Sequence, residues 1–351
     1  MTAPPHRFAG RTALVTGSSR GLGLLVAREL ARHGARVMLC ARDPEPLRRA
    51  ERRLRAEGHE VASCNCDVTD PDAPSRLLRA VRERFGPLDI LVNNAGIIQV
   101  GPLEALREQD FRQAMETMYF APLRLTLAAL PDLRASSAAT VVTVSSVGGR
   151  IPAPHLLPYA AAKFAAAGFS QGLRAELAGT GISVTTVLPG LMRTGSHTAA
   201  RFHGRPGAEY RWFAAAASLP LLSMDAERAA RAIVRAAERR RPELVLTPAA
   251  KLGVRVQGLA PATTARLLAR VARIMPGAGD QPRHDVEGAD AAESSGLPAW
   301  VTALGDRAGA RFAEPRPNPR PSAPGARGVS ERATRTRRDT GGAGTGAASA
   351  T

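Results

Sequence analysis

Tyr159 and Lys163 stand four residues apart, so a helix sets them on one face with their tips able to converge. The chain has three tyrosines (Tyr119, Tyr159, Tyr210) and two lysines, Lys163 and Lys251, which gives this pairing more weight than the same spacing would have elsewhere. Of the 48 basic residues 46 are arginine, and a position that tolerated any cation would hold one. A compact, titratable ammonium has a different use from a guanidinium fork. Reducing a carbonyl requires a proton donor to the oxygen as hydride arrives, and a phenol, with an ordinary pKa of about 10, is a poor acid near neutrality. A nearby ammonium stabilises phenolate, so Lys163 is expected to draw the Tyr159 pKa down and make the phenol a general acid/base. Lys163 can also bond a nicotinamide ribose. Ser146 ends an apolar run ahead of Tyr159 and can polarise the substrate oxygen as an oxyanion donor does. Ser146, Tyr159 and Lys163 are the candidate catalytic set.

A second group of residues suits a dinucleotide. Thr16-Gly17-Ser18-Ser19-Arg20-Gly21-Leu22-Gly23 follows a short apolar run, and its glycines fall in a G-x-x-x-G-x-G spacing. Glycines there let the backbone turn sharply and approach a pyrophosphate resting on the N–H groups of the helix that starts near Gly21. The second apolar run ends Cys40-Ala41-Arg42, with no acid until Asp43. An NAD site commonly carries an acid at that point, whereas the 2′-phosphate of NADP needs a cation. Arg42 and Arg20 together suit that phosphate, so NADP(H) is expected over NAD(H). Asp67 can accept the adenine amino group, with Val68 against the ring. In Asn93-Asn94-Ala95-Gly96 the small residues let the ribose approach, while Asn93 reads as a bridge between strands.

These residues sit at the ends of regularly alternating elements. Apolar runs at 11–17, 35–40, 61–68, 89–96, 140–146, 182–190 and 243–248 read as buried strands. Amphipathic stretches at about 21–33, 46–57, 72–85, 108–132 and 158–179 read as the helices between them. The pattern predicts an α/β fold, a doubly wound, seven-stranded parallel sheet of Rossmann type, with ligands at the carboxyl ends of the strands. Residues 8–248 form the catalytic domain, 249–276 an amphipathic helical extension, and 277–351 a low-complexity, largely disordered tail in which only an island at 297–304 is apolar.

Composition narrows the function classes. The net charge of +17 is spread over arginines along the helices, and aromatics make up 4% of the chain, so the stripe of cations and stacking rings that nucleic acid requires is missing. Cys40, Cys64 and Cys66 lack metal-ligand or disulfide spacing and read as reduced thiols, with no metal expected and a cytoplasmic setting. The longest apolar run, 213–222, is too short to span a bilayer.

On TGSSRGLG (16–23), CDV (66–68), NNAG (93–96), Ser146 with Tyr159-Ala-Ala-Ala-Lys163, and Pro189-Gly190 with Thr194, the chain resembles the short-chain dehydrogenase/reductase family over about residues 8–248. The resemblance implies a single Rossmann-type domain, usually in a homodimer or homotetramer, with Tyr159 as acid/base and Pro189, Gly190 and Thr194 bordering the nicotinamide. One position departs from the pattern. Where the family often has an asparagine that holds a water near the active lysine, this chain has Met118, whose thioether cannot make those bonds.

Segments 150–159 and 191–222 are expected to wall the substrate pocket, with Ile151, His155, Leu156, Leu191 and Met192 lining it. The expected substrate is a hydrophobic carbonyl or secondary alcohol. The alternative is a non-catalytic NADP(H)-binding regulator, against which the intact Ser146, Tyr159 and Lys163 argue. A basic amphipathic stretch at 262–275 suits peripheral membrane contact or a subunit interface.

Overall fold

The computed structural model describes residues 8–218, 223–279, 285–298, 301–303, 307, 309 and 311. Strand β1 (Thr12–Thr16) is buried along its whole length, as a central parallel strand must be. It is followed by α1 (Gly21–Arg32), β2 (Arg36–Ala41), α2 (Pro44–Ala56), β3 (Val61–Asn65), α3 (Ala73–Phe85) and β4 (Ile90–Asn93). A short strand β5 (Gln99–Val100) leads to α4 (Glu108–Met115) and α5 (Ala121–Ala135), then β6 (Thr140–Val144), α6 (Leu157–Glu176) and β7 (Ser183–Leu188). Next come β8 (Leu191–Arg193), α7 (Ser196–Ala199), β9 (Arg201–His203), α8 (Pro206–Ser218), β10 (Ser223–Asp225), α9 (Ala226–Glu238) and β11 (Glu243–Val245). The chain continues through α10 (Pro248–Leu259), α11 (Pro261–Ala272), β12 (Asp285–Glu287) and α12 (Gly288–Ser295).

Seven strands form one sheet in the order β11-β7-β6-β4-β1-β2-β3, parallel throughout. The order reverses at β1, so β1 and β4 diverge to neighbours on opposite sides, and the crevice at their carboxyl ends is where such sheets take ligands. Alternation along β1 sends Ala13 and Val15 to one face and Leu14 to the other. The first face packs on α1, α2 and α9, the second on α3, α5 and α6, giving two aliphatic layers.

Two differences from the sequence expectation concern the substrate side. The expected helix over 108–132 is interrupted: α4 passes into a single π-turn, Glu116–Phe120, before α5. Pro122 has no N–H to return to the Met118 carbonyl, so one hydrogen bond of a continuous α-helix is missing where the turn widens. Residues 285–295, expected to lie in a structureless tail, instead form β12 and α12. Strand β12 pairs antiparallel with β9, which pairs with β5, and α12 lies against α8. Their small residues allow this without large apolar side chains: a methyl on Gly288 would fall 1.9 Å from the His197 carbonyl oxygen. From residue 312 onward, and for Trp300 and Leu304 of the apolar island, the tail lies outside the described residues.

Candidate active site

Ser146 follows β6, and Tyr159 and Lys163 lie on the first two turns of α6. The Gly148 amide donates to Ser146 Oγ at 3.0 Å, which leaves the serine proton free to point at the Tyr159 phenol. That hydrogen bond favours phenolate, but burial dominates and raises the Tyr159 pKa above its ordinary value. The expected lowering by Lys163 is thus not what the geometry shows. Lys163 Nζ donates to the Val144 carbonyl oxygen at 2.8 Å and lies 5.7 Å from the centre of the Tyr159 ring. Burial also acts on the ammonium, bringing its pKa down to about 8. At neutral pH the phenol therefore holds its proton and most of the lysine remains charged.

The lysine's place is fixed from behind. Ser145 Oγ donates to the Lys163 carbonyl at 2.7 Å, and Gly149 packs so closely there that a methyl on it would lie 2.5 Å from the same oxygen. Met118 is 2% exposed and packs with Ala114 and Ala162. A methyl on Gly96 would sit 3.4 Å from Met118 Sδ and 3.7 Å from Lys163 Nζ, so the thioether shares the lysine's surroundings.

One cleft of about 990 Å³ contains the triad and runs along the carboxyl ends of the strands. Its wall at the glycine turn comprises Gly17, Ser19, Arg20, Gly21, Leu22 and Gly23. Gly17 has φ +64°, and a Cβ there would fall 2.8 Å from Ala95 Cα. A Cβ on Gly23 would meet the Gly17 carbonyl oxygen at 2.2 Å. No side chain caps the N-terminus of α1, so its amides remain available to an anion facing the cleft. Arg20 and Arg42, both exposed, line this end together with Asp67 and Val68. Asp67 Oδ1 already accepts from the amide and hydroxyl of Thr69, at 2.9 and 2.8 Å.

Asn94, Ala95 and Gly96 line the middle of the cleft, and Pro189, Gly190 and Thr194 its far side. Asn94 Nδ2 donates to the carbonyls of Thr16 and Gly17, at 2.9 and 3.1 Å, clamping β4 to β1. Asn93, expected to bridge strands, instead ties β4 to helix α5 by donating to Thr126 Oγ1 at 3.0 Å, and the strand bridge falls to Asn94. The glycine cradle and uncapped helix fit the pyrophosphate of a dinucleotide.

At the other end, Ile151, Leu156, Leu191 and Met192 line the cleft, and so do Trp212, Phe213 and Ala217 of α8. His155, expected among them, does not line it. It adopts φ 61°, a left-handed conformation uncommon for a residue with a Cβ, and turns Nδ1 to Glu209 at 2.8 Å. Glu209 is fully buried and also accepts from Trp212 Nε1 at 2.7 Å. The sequence reading missed Glu209 because a glutamate within a helix normally faces water. It also missed the polar edge contributed by α4, where Gln109, Arg112 and Gln113 line the cleft. Among the described residues no group of His, Cys, Asp and Glu could hold a metal ion, and no helix is long and apolar enough to cross a membrane.

Comparison with known proteins places this geometry. The family described as short chain dehydrogenase matches residues 11–203. A Streptomyces violaceoruber protein named as ketoacyl reductase 1 of the granaticin polyketide synthase is 37% identical over 195 residues, covering 55% of this chain and 72% of that one. The 3-oxoacyl-[acyl-carrier-protein] reductase of Escherichia coli is 35% identical over 187 residues, 53% of this chain and 75% of its own. Among solved structures, a variant of actinorhodin polyketide ketoreductase with NADPH superposes with a TM-score of 0.61 at 29% identity, covering 70% of this chain and 98% of that one.

Proposed function

The chain belongs to the short-chain dehydrogenase family and is an oxidoreductase acting between CH–OH and C=O with a nicotinamide cofactor; from that premise we propose that it is an NADP(H)-dependent reductase of hydrophobic ketones, with Tyr159 as general acid. The observation that carries this reading is the placement of Ser146, Tyr159 and Lys163 in one cleft with the glycine turn and two arginines.

Arg20 and Arg42 would hold a 2′-phosphate, since guanidinium forks match phosphate oxygens. The amides at the start of α1 and the cradle at Gly17 hold the pyrophosphate. When bound, the dinucleotide supplies or accepts the hydride. Ser146 orients the substrate oxygen, and Tyr159 delivers its proton there as charge develops. Lys163 supplies positive charge that stabilises the resulting phenolate until a proton from solvent restores the phenol. Leu156, Leu191, Met192 and Phe213 exclude water from the reacting carbon and favour an apolar substituent.

Names of the relatives give a substrate class to begin with: β-ketoacyl thioesters and polyketide-like ketones. The three free thiols suit work in the reducing cytoplasm. The decisive experiment screens apolar ketones and β-ketoacyl thioesters with NADPH and NADH side by side. NADPH oxidation with a preference over NADH is expected. Tight NADPH binding without turnover across the panel would instead support a non-catalytic binding protein.

A further inference from the structure

Beyond β11 the chain forms a helical hairpin, α10 and α11, whose two arms pack on each other and expose large apolar side chains. A nine-residue pattern recurs within it: Lys251-Leu252-x-x-Arg255-Val256-x-x-Leu259 in α10, and Arg266-Leu267-x-x-Arg270-Val271-x-x-Ile274 running through α11. The spacing i, i+4, i+7 sets three apolar residues in a stripe on each arm, with the two cations along one edge of it. All six apolar side chains are exposed, Leu259 at 88% and Ile274 at 85%. Burial on the opposite side of α10 confirms the facing, since Ala250 is 7% exposed and Gly253 lies against Ile151. From residue 249 to 279 there are five cations, with Arg273 the fifth, and no aspartate or glutamate.

We propose that this hairpin is a docking surface for an anionic phospholipid bilayer. An acid-free, cationic surface with protruding Leu, Val and Ile matches a layer of negative headgroups above acyl chains. A protein partner of mixed charge would call for compensating carboxylates on this side, and 249–279 offers none. The hairpin also adjoins the substrate end of the cleft. A methyl on Gly253 would fall 2.9 Å from Ile151 Cδ1, and one on Gly190 would fall 3.7 Å from Ala250 Cβ. Ile151 and Gly190 both line the cleft. Docking through this surface therefore sets the substrate end of the cleft one helix behind the lipid-facing stripe, which suits a lipophilic ketone; that consequence rests on the function proposed above, whereas the docking does not.

The test is flotation of the full-length protein with vesicles of phosphatidylcholine, with and without phosphatidylserine. Binding only to the phosphatidylserine vesicles is expected, weakening by tenfold or more as salt is raised. The double variant Leu259→Glu/Ile274→Glu, at two of the most exposed positions, should lose flotation while its thermal unfolding and its turnover of a water-soluble ketone stay unchanged. Arg255→Glu/Arg270→Glu should do the same. Equal binding to neutral vesicles, no binding, or unaltered flotation of both variants would overturn the proposal. So would a stable dimer that dissociates in the Leu259→Glu/Ile274→Glu variant without any vesicle binding by the wild type. Turnover on the soluble ketone is read separately, so failure of docking and failure of the enzymatic reading give different results.

Discussion

Lys163 Nζ donates to the carbonyl oxygen of Val144 at 2.8 Å, so the ammonium is anchored to the end of β6 and not to the phenol hydroxyl. Its nearness to the tyrosine is through the ring, 5.7 Å from the centroid. The two groups respond to burial in opposite senses, Tyr159 held protonated and Lys163 eased towards neutrality.

The role proposed for the Tyr159 phenol is that of proton source in the reductive direction. Tyr159→Phe should lower kcat by about 10²–10⁴-fold, the range of a lost general acid. NADPH affinity, followed by nicotinamide fluorescence, should change little. Undiminished turnover in this variant would remove Tyr159 from the mechanism.

Buried Lys163 makes stability depend on pH. Its folded pKa of about 8 lies below the 10.5 of the free side chain, so between those values the unfolded chain binds more protons than the folded one. Stability therefore rises with pH through that window, and the cost of burying the charge is fully present below pH 8. The shift corresponds to about 3 kcal/mol. Denaturant unfolding of the cofactor-free protein should show the wild type gaining about that much between pH 7 and pH 11 relative to Lys163→Met. Parallel curves for the two proteins would contradict the burial argument.

Arg42 and Arg20 face the same end of the cleft, and neither is buried. Arg42→Ala should weaken NADPH by about 10–100-fold, the worth of a charge-assisted hydrogen bond, and leave NADH nearly untouched. The ratio of kcat/KM for the two cofactors measures this directly. An unchanged ratio would free Arg42 from the role.

Much of this site was legible in the sequence because the residues concerned are rare in this chain or held to one position by geometry. Tyr159 and Lys163 stand out where 46 of 48 cations are arginine. Gly17 and Gly23 are required because a Cβ at either would strike backbone. The doubly wound parallel sheet followed from buried runs alternating with amphipathic ones. What escaped depended on tertiary contact. Glu209 and His155 lie 54 positions apart and meet only once α8 folds over the cleft. Strand β12 and α12 escaped because their packing relies on glycine and alanine at close approach, which composition reads as tail.

Met118 stands in the π-turn, among apolar neighbours. Met118→Leu keeps the volume and should leave kcat within about twofold, since a thioether donates no hydrogen bond and accepts only weakly. Met118→Asn places an amide in that surrounding and should cost about 1–3 kcal/mol of stability. Thermal unfolding of the two variants side by side separates the effects. If the asparagine variant proved as stable as the wild type and faster, a polar relay at this position would be favoured over the apolar packing seen.

Glu209 ties α8 to the loop ahead of α6. With no exposure to solvent, it accepts from Trp212 Nε1 and meets His155 Nδ1, and the left-handed backbone at His155 is held by that contact and by its carbonyl, which accepts from the Gly101 amide at 2.8 Å. Trp212 and Leu156 on either side of this knot line the substrate end of the cleft. Removing the carboxylate in Glu209→Leu leaves the half-buried Trp212 and His155 ring nitrogens without their partner and should cost about 1–3 kcal/mol. Glu209→Gln keeps the shape and one acceptor and should cost less. In both variants KM for the ketone should rise more than kcat falls, because the wall loosens while Ser146, Tyr159 and Lys163 stay on β6 and α6. A matching fall in kcat with KM unchanged would instead place Glu209 in the chemical step, and full stability of Glu209→Leu would show that the knot holds nothing.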